Sequence, residues 1–190
     1  MRIWYDTEFH EIGPTQPIRL ISIGMVAEDG REYYAIDIGT SWWAIYKNEW
    51  LRKNVLTQLP GEIKSFGNGG GTFDPDESTG LYKKRSVIAT EVAAFCKAGL
   101  KEGEQAELWA YYADYDHVVL AQLFGTMIDL PTHMPMYTRD IKHAVDMFQV
   151  ELPKQEDTEH HALADARWVR EAFKAVEQRL LYADQFWIDL

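Results

Sequence analysis

Three apolar runs lie between Ile3 and Ile38, and the connections between them are so short that successive runs must turn back on one another. Ile3-Trp4-Tyr5 opens the first run, which leads into Asp6-Thr7-Glu8-Phe9. Gly13-Pro14-Thr15-Gln16-Pro17 is a turn segment, since glycine and proline punctuate regular structure. Ile18 to Ala27 reads as a long second strand. Glu28-Asp29-Gly30-Arg31 supplies an Asp-Gly hairpin turn, and Glu32 to Ile38 forms a third strand. From Trp42 to Leu59 the spacing becomes helical, with Trp43, Tyr46, Trp50, Leu51 and Val55 toward one side.

Farther along, Ser86 is a candidate N-cap for a helix ending near Gly99. A fourth strand, Ala106 to Tyr112, precedes a helix containing Val118, Val119, Leu120, Leu123 and Phe124. A short fifth strand is expected around Met136 to Thr138, then a helix from Arg139 to Val150. The last helix is predicted from about His161 to Tyr182, with Thr158 as its cap and an aromatic tail at Phe186-Trp187. A meander followed by alternating helices and strands predicts an α/β fold, with a mixed five-stranded sheet and a single domain over residues 1–190. Gly67-Asn68-Gly69-Gly70-Gly71 opens an acidic stretch that is expected to be a flexible loop over 67–80. It lacks the Gly-Lys-Ser/Thr of a phosphate-cradling loop and the ligand spacing of a calcium loop.

Composition narrows the function classes. The single cysteine, Cys96, excludes an internal disulfide framework and a multi-cysteine zinc site. No apolar stretch has the length of a membrane span, and the N-terminal residues lack the zones of a signal peptide, so a cytoplasmic location and no membrane contact are expected. A net charge of −11 argues against a protein that coats nucleic acid. It does not argue against an enzyme whose bound cations supply the local field. Lys83-Lys84-Arg85 is the densest basic run, readable as a solvated helix start or as a place where a nucleic-acid backbone is steered.

Four carboxylates stand out against this background. Side chains alternate along a strand, so Asp6 and Glu8 share a face. Neighbouring carboxylates repel unless a cation sits between them, and oxygen clusters are how hard divalent ions are held. Alone, the pair also fits a solvated strand end. On the last helix Ala162, Val169, Phe173, Val176 and Leu180 form an apolar face that Asp165 interrupts. Such a carboxylate is costly unless it is paired or bound to metal; a capping or salt-bridge partner is the competing account. In the helix after the fourth strand, Asp116 falls on the inward side with Val119, Leu120 and Leu123. Asp114 falls nearly opposite, where it suits the helix dipole. His160 and His161 precede Asp165, and a histidine near neutrality can take a proton from water.

Asp6-Thr7-Glu8, Tyr115-Asp116 and His160-His161-Ala162-Leu163-Ala164-Asp165 resemble the three motifs of the DEDDh 3′–5′ exonucleases, in the usual order. The third resembles His-x-Ala-x-x-Asp, which singles out His160, and the second resembles Phe-Asp with Tyr115 in place of phenylalanine. Together with Leu20–Gly24, Ala27–Ala35 and Tyr115–Leu120, the opening motif is similar to the actinobacterial exoribonucleases called ribonuclease AS. The chain departs from many DEDDh enzymes in having Phe9-His10 rather than Thr-Gly after the first motif, and its Gly-rich stretch is long for the family.

The resemblance implies a ribonuclease H-like fold, two Mg2+ or Mn2+ ions, single-stranded RNA 3′ ends as substrate, nucleoside 5′-monophosphates as product, and a homodimer. In that scheme Asp6, Glu8, Asp116 and Asp165 are the catalytic metal ligands, with Asp6 shared by both ions. His160 deprotonates the attacking water, and Thr7 and Phe9 contact substrate, Phe9 against the terminal base unless it is an ordinary core residue. A DNA exonuclease fits the same motifs. A catalytically silent nucleic-acid-binding module is the rival from another class.

Overall fold

The expected meander forms from β1 (Arg2–His10), β2 (Arg19–Ala27) and β3 (Glu32–Asp37), all antiparallel. The structure is a computed structural model that describes residues 1–155 and 159–188, with side chains described through 181. Thr158 as a helix cap and the Phe186-Trp187 tail fall outside the described residues and side chains. β2 is buried from Leu20 to Ala27 because both of its faces are covered, which is why it reads as a continuous apolar run rather than an alternating one.

The main sheet has six strands, not five, in the order β6-β3-β2-β1-β7-β8. β7 (Glu107–Ala110) runs parallel to β1, and β8 (Arg139–Asp140) runs parallel to β7, slightly later than the expected fifth strand. The extra strand is β6 (Tyr82–Lys83), which pairs only Tyr82 with Ile36 and Lys83 with Asp37. Two residues carry no periodicity, so the sequence gives no sign of it.

Residues 67–80, expected as a loop, contain regular structure. β4 (Gly61–Gly67) and β5 (Gly70–Pro75) form a separate hairpin, followed by a 3-10 turn at Glu77–Thr79. Asn68 and Gly69 make the tight turn with positive φ. Gly71 lies so close to Tyr46 that a Cβ there would sit 2.2 Å from its ring, and Phe73 is buried beside Trp42. The glycines thus serve close packing, while their composition imitates a loop.

The predicted helix over 42–59 is broken into α1 (Trp42–Lys47), α2 (Glu49–Asn54) and a 3-10 turn. Asn48 breaks it by leaving helical geometry and accepting the Leu51 N–H on its side chain. Trp43 and Trp50 are both exposed rather than buried with Tyr46, Leu51 and Val55. α3 (Arg85–Lys97) starts at Lys84 rather than at Ser86. α4 is Ala113–Gln122, α5 Ile141–Phe148 and α6 Ala162–Ile188.

Strand alternation decides which helix each β1 residue meets. Ile3 and Tyr5 pack with Ile88, Val92 and Cys96 of α3 and Val119 and Leu120 of α4. Trp4 points the other way, into Ile141 of α5 and Ala166, Val169, Phe173 and Val176 of α6. Leu180 is exposed, so among the described side chains the buried face of α6 ends at Val176. No helix among the described residues is long and apolar enough to cross a membrane.

Candidate active site

The alternation that turns Trp4 toward α6 turns Asp6 and Glu8 the same way. Oxygens of Asp6, Glu8 and Asp165 lie within 4.8 Å of one another. Gly24 makes that approach possible. It pairs with Asp6 across β1–β2, and a Cβ there would lie 2.3 Å from the Ala162 backbone at the start of α6. Without a side chain at Gly24, the helix end seats directly on the sheet beside Asp6.

Asp116, on α4, borders the same cavity but lies outside that three-residue group. The Thr7 N–H and the Thr7 hydroxyl both donate to its Oδ1, at 2.8 and 2.6 Å. Thr7 is buried, with its hydroxyl committed to Asp116, although it also lines the site. Asp116 is buried and Asp114 is exposed.

These residues border a cavity of about 600 Å³, within the size range of small-ligand sites. Five carboxylates line it: Asp6, Glu8, Asp116, Glu159 and Asp165. Among the described residues, no lysine or arginine does. Its other walls are aromatic, including Phe9, Trp50, Tyr115 and Trp168, and Phe9 and Tyr115 lie parallel with centroids 5.7 Å apart. His160 also lines the cavity, in the left-handed region at φ 68° and edge-on to Trp50 at 4.8 Å. His161 turns away and stacks on Tyr34 at 4.5 Å. Burial lowers its pKa.

The carboxylates are held at a cost. Burial, then the charges of Asp116, Glu8 and Asp165, pushes the Asp6 pKa well above the usual carboxylate range. Burial and the charges of Asp165 and Asp116 push Glu8 up to about 8, and Glu8 and Asp165 are close enough to share a proton. Asp116 and Asp165 each rise to about 6 through burial. Thr7 moderates the first; the His160 backbone and the Gln155 side chain, which donates to Asp165 Oδ1, moderate the second. Hard oxygen donors that raise one another's pKa in a shared cavity suit a divalent cation, which would relieve the repulsion.

Sequence reasoning singled out Phe9 and Tyr115 but missed Gly24, Gln155, Glu159 and the other aromatic walls, Trp50, Tyr111, Tyr112 and Trp168. Gly24 had a readable signal, an isolated glycine inside a strand. Gln155 and Glu159 sit in irregular segments, where spacing carries no directional information.

Fold and site together define an α/β protein with a mixed sheet, consistent with a ribonuclease H-like fold, and a carboxylate-lined cavity at the first strand. The chain belongs to the Rv2179c-like 3′–5′ exoribonuclease family. The 3′-5′ exoribonuclease Rv2179c-like domain matches residues 75–177, a span that includes Asp116, His160 and Asp165. The chain is also 39% identical over 168 residues to the 3′-5′ exoribonuclease Rv2179c of Mycobacterium tuberculosis H37Rv, covering 88% of each chain. The 3′-5′ exoribonuclease MT2234.1 of strain CDC 1551 / Oshkosh matches to the same extent.

Proposed function

We propose that the protein is a metal-dependent 3′–5′ exoribonuclease of the DEDDh kind, releasing nucleoside 5′-monophosphates from single-stranded RNA. The observation that carries this reading is the charge of the cavity: five carboxylates and, among the described residues, no lysine or arginine. An anionic phosphodiester cannot enter such a site unless cations come with it. Asp6, Glu8, Asp116 and Asp165 would hold two Mg2+ or Mn2+ ions. When bound, the ions supply charge neutralisation at the phosphate and a more acidic water.

The chain's own residues supply the rest. Thr7 fixes Asp116 in one orientation through two hydrogen bonds, and Gln155 does the same for Asp165. The parallel pair of Phe9 and Tyr115 offers a flat apolar face to the terminal base, as single-stranded nucleic acids are commonly held. His160 takes the proton of the attacking water, its ring directed by the edge contact with Trp50.

His160→Ala is expected to lower kcat by roughly 10²–10⁴-fold while RNA affinity stays within about twofold of wild type. Stopped-flow or single-turnover kinetics beside filter binding separates these effects, and near-normal turnover would sink His160 as the base. The activity itself is tested with 5′- and 3′-end-labelled RNA and matched DNA under magnesium, manganese and chelator. Stepwise shortening of RNA from the 3′ end, abolished by chelator, is the expected result. Equal hydrolysis of DNA, or cleavage that survives chelator, contradicts the proposal.

A further inference from the structure

Phe9 lines the acidic cavity, and the next residue, His10, lines a second cavity, of about 520 Å³ and opposite charge. Arg19 of β2 and Lys84 and Arg85 at the start of α3 line it, with His10 of β1 beside them. Asp37 is the single carboxylate among its described lining residues. That carboxylate is buried and already engaged: Oδ1 accepts from the Gly39 N–H at 2.8 Å, and Arg85 lies 3.8 Å from Oδ2. Burial lowers the His10 pKa.

Arg19 and Lys84 are left over. Both are exposed, and neither has a carboxylate partner among the described residues. Other cations of the chain are paired, as Lys83 is with Glu91 at 2.7 Å, or share a cavity with carboxylates, as Lys97 and Lys101 do with Glu102 and Glu104. The Arg19–Lys84 wall differs in that the single carboxylate among its described residues, Asp37, is buried and already engaged.

Their position relates them to the catalytic cavity. Arg19 pairs with His10 across β1–β2, just past a register irregularity between Glu8 and Phe9. Glu8 and His10 are two strand residues apart, roughly 7 Å. The two cavities thus flank the same strand end, one acidic and one basic.

We propose that the Arg19–Lys84 cavity is a phosphate subsite, holding a backbone phosphate of the RNA upstream of the nucleotide being released. This inference rests on the exoribonuclease reading. The acidic cavity repels every phosphate except those its cations neutralise, and a net charge of −11 repels the remainder of the chain. The basic cavity supplies the missing attraction next to the site, and the exposed Ser41 on its wall adds a hydroxyl donor.

The test is an Arg19→Gln/Lys84→Gln double variant. Arg85 is left in place because its loss would strand buried Asp37. Thermal melting first checks that the variant folds like wild type. Steady-state kinetics on a dinucleotide and on longer single-stranded RNA then follow. Expected is a rise in KM of about tenfold for longer RNA, an unchanged kcat, a salt dependence of binding shallower by about one to two in slope, and an unchanged KM for the dinucleotide. A charge-preserving Arg19→Lys variant should recover most of the affinity. An unchanged KM for longer RNA, or an equal rise for the dinucleotide, overturns the subsite. If wild-type protein hydrolyses no RNA of any length, the exoribonuclease reading has failed, an outcome separate from either result.

Discussion

A Glu8→Gln variant is expected to lose RNA hydrolysis by at least about a hundredfold, while its metal-free form melts a few degrees above metal-free wild type at pH near 8. The two effects have one cause. Glu8 is buried against Asp165 and Asp116, which raises its pKa to about 8 in the folded protein, whereas an unfolded glutamate titrates near its ordinary value of about 4.3. Between those values the native state binds more protons than the unfolded chain, so stability falls as pH rises through the window. Asp6, also raised, and Asp116 and Asp165, each raised to about 6, contribute in the same direction.

Glutamine keeps the shape and removes one charge. The variant should therefore be the more stable protein at the alkaline end and nearly equal to wild type near pH 4. Divalent cation should stabilise wild type strongly and the variant weakly, because ligands that bind only the folded state add stability by mass action. Thermal melts across pH, in chelator and then with manganese, measure all of this. A variant that melts lower than wild type at high pH would show that Glu8 has a neutralising partner in the metal-free protein, contrary to this account.

Gly24→Ala is expected to damage both the fold and the site. Its Cβ would lie 2.3 Å from the Ala162 carbonyl and from the Leu163 Cα, both backbone atoms that no rotamer change can move aside. α6 must then lift off the sheet at the end that carries Asp165 and His160. Overpacking of this kind costs on the order of 1–3 kcal/mol or more, about 2–12 °C in melting temperature for a chain of this size. A shift of about 1 Å between catalytic groups can lower turnover by about 10²-fold. Kinetics at a temperature where the variant is still folded separate the two losses. Wild-type turnover there would mean that the position of α6 on β2 is not what brings Asp165 to Asp6 and Glu8.

Much of this architecture was legible before any coordinates, and the failures share a pattern. The meander, the alternating order of the later elements and the burial of Asp116 in preference to Asp114 all follow from periods of two and 3.6 within one element. β6 escaped because two residues have no period. The β4–β5 hairpin escaped because its glycines are there for turn geometry and for contact with Tyr46, while their composition suggests a loop. The long helix over 42–59 failed at Asn48, where a side chain–backbone bond won over helix continuation, and Trp50 went from an expected core position to the wall of the cavity.

By itself the sequence determined that Asp6 and Glu8 share one face of a strand, that Asp116 and Asp165 interrupt apolar helix faces, and that the motifs occur in the order of a nuclease family. Only the tertiary structure decided that these residues meet. Thr7 bonds Asp116 across 109 positions, and α6 reaches Asp6 because the strand beside it carries no side chain at Gly24. The tertiary structure also sorted the histidines, one into the cavity and one onto Tyr34, and set Arg19 and Lys84 together on the wall of a second cavity. The division has a physical basis: periodicity is a local property of the backbone, whereas convergence depends on which side chains are absent where two elements press together.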